Sequence, residues 1–104
     1  MFKFVTLYRQ VDDVNTLETF FSTVHLRLGE QLAGLRKVEI SRMKGKPGGD
    51  SRFYMSVELY FDSAAAFEKS LASDAGIELM QALRTWYDGK LITWFYAEAW
   101  EEDK

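Results

Sequence analysis

Few side chains in this 104-residue chain are equipped for chemistry, and their scarcity narrows what it can do. His25 is the only histidine, and there is no cysteine. A thiol nucleophile, a thiolate metal site, a disulfide framework and a multi-histidine metal centre within one chain are thereby excluded. His25 is the one side chain whose ordinary pKa lies near neutrality, so it is the candidate for moving a proton. Tyr8 closes the first apolar run and carries a hydroxyl suited to orienting a carbonyl or phenol oxygen. Arg42 shares the alternation parity of Val38 and Ile40, which is expected to face the core side of a sheet. A charge there needs a partner or a pocket mouth; it could bind a carboxylate ligand, the alternative being solvation at the strand end. Trp86 and Tyr87 are consecutive in a helical stretch, so they point in different directions, and one of them is expected to wall a pocket.

Other constellations carry less. Glu39 and Glu58 invite a glycosidase-like pairing of carboxylates, but they lie on the mixed parity of paired strands, where Lys37, Arg52 or water would satisfy them. Arg52-Phe53-Tyr54-Met55 lacks the glycine and the aromatic spacing of an RNA-binding strand. The net charge of −3 also argues against a broad phosphate-binding surface, so no nucleic-acid partner is expected. Lys44-Gly45-Lys46 lacks the full phosphate-loop pattern and lies between strands. A haem enzyme would have His25 alone as an axial ligand.

Short elements must position these residues. Phe2 to Tyr8 reads as a strand. Asp12 and Asp13 offer N-cap oxygens to a helix whose stripe is Val14, Leu17, Phe21, Val24 and Leu28, with Gly29 or Gly34 to end it. Four residues beyond Phe21, His25 falls about 40° round the helix, at the edge of that stripe, where a core opens to water. Leu35 to Lys44 and Arg52 to Phe61 read as a hairpin around Gly45–Asp50, the second strand having a wholly apolar parity in Phe53, Met55, Val57, Leu59 and Phe61. Asp62-Ser63 caps a short helix with Phe67 and Leu71. Ser73-Asp74 caps another carrying Ile77, Met80, Leu83 or Arg84, and Tyr87, stopped at Gly89 in a left-handed conformation. Lys90 to Glu98 is the last strand.

This order predicts an α+β fold: one ferredoxin-like βαββαβ domain over residues 1–104, with both helical layers on one face of a four-stranded antiparallel sheet. Phe2, Phe4, Thr6 and Tyr8 occupy one parity of the first strand and Val5 and Leu7 the other. The last strand sets Leu91, Thr93, Phe95 and Ala97 against Ile92, Trp94 and Tyr96. Both faces of both strands are thus apolar, which predicts a homodimer closing an α+β barrel through the open sheet face. Burying ~600 Å² per partner is worth on the order of 15 kcal/mol before association costs. Trp100 is expected to dock on the partner. No stretch approaches the roughly 20 apolar residues of a membrane span, and the N-terminal residues lack a signal-peptide pattern, so a cytoplasmic, non-membrane protein is expected.

The chain resembles the EthD-like family of the dimeric α+β barrel superfamily. Leu7-Tyr8-Arg9, Val24-His25-Leu26, Leu32-Ala33-Gly34-Leu35-Arg36 and Val38-Glu39-Ile40-Ser41-Arg42 carry the resemblance, with the glycine hairpin Gly45 to Gly49, the run Glu58 to Ser63, then Ala65 and Phe67. Where that family often has a proline closely following the helix histidine, this chain has Leu26-Arg27-Leu28. The resemblance implies a ferredoxin-like monomer, a back-to-back dimer and a small pocket between sheet and helices. It associates the chain with degradation of ethers and other organic compounds or with tailoring of aromatic polyketides. The expected protein binds a small apolar or aromatic molecule without a metal or organic cofactor of its own. It is either a cofactor-independent enzyme or a non-catalytic accessory dimer beside an oxidase system. His25 and Tyr8 are the expected catalytic pair, His25 moving a proton and Tyr8 orienting a substrate oxygen. Phe21, Leu28, Arg42, Met55 and Trp86 are the expected substrate contacts, with Val57, Leu59, Met80 and Leu83 completing the pocket wall.

Overall fold

A computed structural model describes all 104 residues. Strand β1 (Phe2–Arg9) leads to α1 (Val14–Phe20), which passes without a break through a π-helical segment (Phe21–Leu26) into α2 (Arg27–Glu30). Strands β2 (Lys37–Arg42) and β3 (Phe53–Phe61) form the hairpin, followed by α3 (Ala64–Leu71), α4 (Asp74–Asp88) and β4 (Ile92–Glu98). The sheet is antiparallel in the order β2-β3-β1-β4, which is the ferredoxin-like arrangement expected from the element order.

Helices α1, α3 and α4 begin where a short oxygen-bearing side chain meets a free amide. Asp13 accepts from the Thr16 amide, Ser63 from Ala66 and Ser73 from Gly76, each at 3.1 Å. The end of α4 departs from expectation. Gly89 keeps a φ of −76°, and the left-handed residue is Lys90, at +61°. Two bonds fix it there, Lys90 N–H to the Tyr87 carbonyl and Leu91 N–H to Trp86, both 2.9 Å, so the capping pattern falls one residue later than the glycine.

Strand alternation settles the layers. Phe2, Phe4, Thr6 and Tyr8 of β1 and Met55, Val57, Leu59 and Phe61 of β3 are all buried beneath the helices. Leu17, Phe21, Leu28, Leu32, Phe67, Leu79 and Leu83 meet them from above. The stripe on α4 is rotated from the one expected: Gly76, Leu79 and Leu83 are buried, whereas Ile77 and Tyr87 are exposed. Gly76 sets this rotation, because a Cβ there would stand 2.5 Å from the Ser70 carbonyl oxygen and 2.7 Å from Leu71 Cα. That lets α4 start directly against the end of α3.

The opposite sheet face divides into two halves. Under β1 and β4 lie Val5, Leu7, Phe95 and Ala97, with Phe95 44% exposed. Under β2 and β3 lies a lattice of charges. Lys3 donates to Glu58 at 2.6 Å, Tyr60 donates to Glu39 at 3.0 Å, and Lys37 lies over the Tyr60 ring. Glu39 and Glu58 are therefore satisfied by Lys3, Tyr60 and, more loosely, Lys37. Trp100 is 76% exposed. No helix is long and apolar enough to cross a membrane.

Candidate functional site: a buried tyrosine–histidine pair

The two residues singled out for chemistry meet. Tyr8 Oη and His25 Nδ1 are 2.6 Å apart, and neither residue has exposed surface. Tyr8 arrives from the helix-facing row of β1 and His25 from the π-helical segment. An uninterrupted α-helix would leave His25 at the rim of the stripe. The wider π turn carries one extra residue, so Phe21, His25, Leu28 and Gly29 all turn inward while Val24 is only half-buried. The histidine expected at the edge of the stripe is thus a core histidine, and Tyr8 is its partner.

Burial sets the electrostatics. Desolvation pulls His25 down to about 3 and pushes Tyr8 above the usual phenol range, so both are neutral at ordinary pH. The bond between them is the only one either side chain makes within the protein. Donation from the Tyr8 hydroxyl to Nδ1 leaves one orphan, an Nε2–H donor. The opposite assignment would orphan both the tyrosine proton and Nε2. The first arrangement is favoured, and it leaves His25 Nε2 buried with no protein partner.

Aromatic rings wall the pair. Trp86 meets Tyr8 edge-on at 5.6 Å and stacks on Phe20 at 4.7 Å, and both Trp86 and Phe20 are half-buried. Phe21 meets the imidazole edge-on at 6.2 Å. Of the expected contacts, Phe21 and Trp86 stand against the pair. Met55 is the β3 register partner of Tyr8 and belongs, with Leu28, to the same buried cluster. Val57, Leu59 and Leu83 are packed core, and Met80 is half-buried. Arg42 faces the helices as its parity demanded, but Glu18 already holds its guanidinium, at 2.9 Å to Nε and 2.7 Å to an Nη. Tyr54 donates to the same carboxylate. Arg42 and Tyr54 together hold Glu18 down at about 2.

Two residues escaped sequence reasoning. Phe20 lies one step off the apolar stripe, and nothing in its spacing marks it as a wall. Thr6 interrupts the aromatic parity of β1, and that interruption was the available signal: it is fully buried and its hydroxyl has no partner. No cluster of three or more His, Cys, Asp or Glu side chains is placed to hold a metal ion.

The fold and the pair define a ferredoxin-like α+β protein with a neutral polar couple sealed between sheet and helices. No family model matches the chain, and no curated protein matches it. Solved structures do. The chain resembles an ethyl tert-butyl ether D (EthD) family protein from Bacillus halodurans at 28% identity, covering 96% of this chain and 99% of that one, with a TM-score of 0.86. A dimeric ferredoxin-like protein from Jannaschia sp. is 13% identical over 94% of this chain and 97% of its own, at a TM-score of 0.66. SnoaB, a cofactor-independent oxygenase from Streptomyces nogalater, is 17% identical over 99% and 94%, at 0.63. The last two likenesses are of fold.

Proposed function

We propose that this protein is an EthD-like small-molecule protein whose ligand is an apolar or aromatic compound bearing an oxygen acceptor, held at the Tyr8–His25 pair. The observation that carries the reading is the buried imidazole, its Nδ1 engaged by Tyr8 and its Nε2 without a protein partner. An unpaired buried donor costs about 1–3 kcal/mol, which a ligand carbonyl, ether or phenol oxygen would recover. Phe20, Phe21, Leu28, Met55 and Trp86 pack around the pair as an apolar shell that a ligand would have to part, the usual company of a few convergent polar groups in a small-molecule site.

The roles differ from those the sequence suggested. A histidine held neutral down to about pH 3 is a poor proton shuttle but a good neutral donor for polarising a carbonyl. Tyr8 spends its hydroxyl on His25 and so positions the imidazole instead of meeting the ligand. Arg42, with its guanidinium bound by Glu18, has no role in the site. The likeness to a cofactor-independent oxygenase is in keeping with chemistry that needs no resident cofactor. The protein acts as a homodimer through the open sheet face, a reading supported by the exposed Phe95 and Trp100 and by dimeric proteins of the same fold.

Titration with 2-acetylnaphthalene, followed by tryptophan fluorescence, tests the site. Wild type should bind, and His25→Phe, which keeps the ring but removes the donor, should bind at least tenfold more weakly. No binding, or equal binding by a folded His25→Phe, refutes the assignment.

A further inference from the structure

Resting on the Tyr8–His25 pair as a ligand site, we propose that the apolar slot between α4 and β4 is the outer half of that site, taking the body of a flat neutral ligand whose single inner oxygen is shared by the Thr6 hydroxyl and the His25 Nε2–H. The slot is a cavity of about 170 Å³ lined only by Phe4, Met80, Trp94, Phe95 and Tyr96. It continues outward past Gln81 and Arg84, with Met80 and Trp94 lining both parts.

Register leads from the slot to the pair. Phe4, Thr6 and Tyr8 succeed one another on the helix-facing side of β1, each step about 7 Å. Trp94 is the direct β4 partner of Thr6, which places their Cβ atoms about 5 Å apart on that face. Phe4 and Trp94 therefore belong to the slot and also flank Thr6, and the next residue of the row is Tyr8 with His25 upon it. Along one strand face run an apolar cavity, a buried hydroxyl without a partner, and a buried imidazole nitrogen without a partner.

Thr6 has no structural reason to be a threonine. Valine fills the same shape in a strand without burying an unpaired hydroxyl, and every neighbour in its row is aromatic. The Trp94 ring is half-buried and stacks at 4.9 Å and 18° on Tyr87, which is itself exposed. The wall between slot and Thr6 is thus held by a neighbour that faces water, and in the proposed bound state Trp94 turns aside to admit the ligand oxygen to Thr6. No free cation lies along the row. Arg42 is bound by Glu18 and Arg84 stands at the outer mouth, so the inner end of the ligand is a neutral oxygen, a ketone, aldehyde or alcohol, and not a carboxylate.

A matched pair of probes tests this: 2-acetylnaphthalene and 2-ethylnaphthalene, alike in shape but differing in the oxygen, titrated into wild type, Thr6→Val, Thr6→Ser, Met80→Trp and His25→Phe, each checked for a native melt. Wild type should prefer the acetyl compound at least tenfold. Thr6→Val should lose most of that preference and Thr6→Ser should keep it, while Met80→Trp, which fills the slot, should weaken both probes tenfold or more. If Thr6→Val and Met80→Trp bind the acetyl probe as wild type does while His25→Phe does not, the slot is overturned and the pair remains a site. If Thr6→Val and Met80→Trp weaken it while His25→Phe does not, the joined site is overturned. No binding of either probe by wild type overturns both.

Discussion

Lowering the pH from 7 to 5 should cost this protein about 2 kcal/mol of folding stability, through one residue. His25 titrates at about 3 in the folded protein against an ordinary 6.5, because its imidazolium would be buried. Between those values the unfolded chain binds a proton that the folded chain refuses. The folded-state pKa is depressed, so the stability due to neutral His25 is complete above about pH 6.5 and is lost as pH falls towards 3. At pH 5 the unfolded imidazole lies about 1.5 units below its pKa, and at about 1.4 kcal/mol per unit the loss is about 2 kcal/mol. At pH 4 it would exceed about 3 kcal/mol. Glu18, held at about 2 by Arg42 and Tyr54, contributes only below about pH 4.5, outside the window. With one histidine in the chain, no second imidazole confuses the result. Urea unfolding at pH 7, 6 and 5, at one protein concentration, measures it. His25→Gln keeps an acceptor for Tyr8 without the titration, and its stability should be flat over the same range. A flat wild-type profile, or an equal slope in His25→Gln, would refute the buried neutral histidine.

Two further outcomes follow from packing. Gly76→Ala should destabilise the fold by about 2–3 kcal/mol in thermal or urea melts, because its methyl group would strike the Ser70 carbonyl and Leu71 backbone, which cannot swing aside as a side chain would; a loss under about 0.5 kcal/mol would count against the close α3–α4 start. The protein should run in light scattering at twice the 12.1 kDa chain mass, and Trp100→Ala should weaken that dimer by roughly 2 kcal/mol; a 12.1 kDa particle at micromolar concentration would dismiss the dimer.

The element order and the layers were legible in the amino-acid sequence because they rest on local regularities. The apolar parity of Phe53 to Phe61 marks the row Met55, Val57, Leu59 and Phe61 that is buried under the helices, and Asp13, Ser63 and Ser73 mark helix starts through bonds spanning three residues. The scarcity of reactive side chains also singled out His25 and Tyr8, which the structure brings together. What those two do was not legible. Their bond joins residues 17 apart across two layers, and it depends on a π turn that no spacing rule on a regular helix anticipates. The same turn moved His25 from the rim to the interior, where burial holds its imidazole neutral. Arg42 pointed where its parity said, yet only the tertiary structure supplied Glu18 to neutralise it. The rotation of α4 that exposes Ile77 and Tyr87 was set by Gly76 meeting the end of α3, a contact between elements, not a property of either. In the strands local pattern decides which face a side chain takes; in the helices, and for which group waits there, the decision lies in how the elements are brought together.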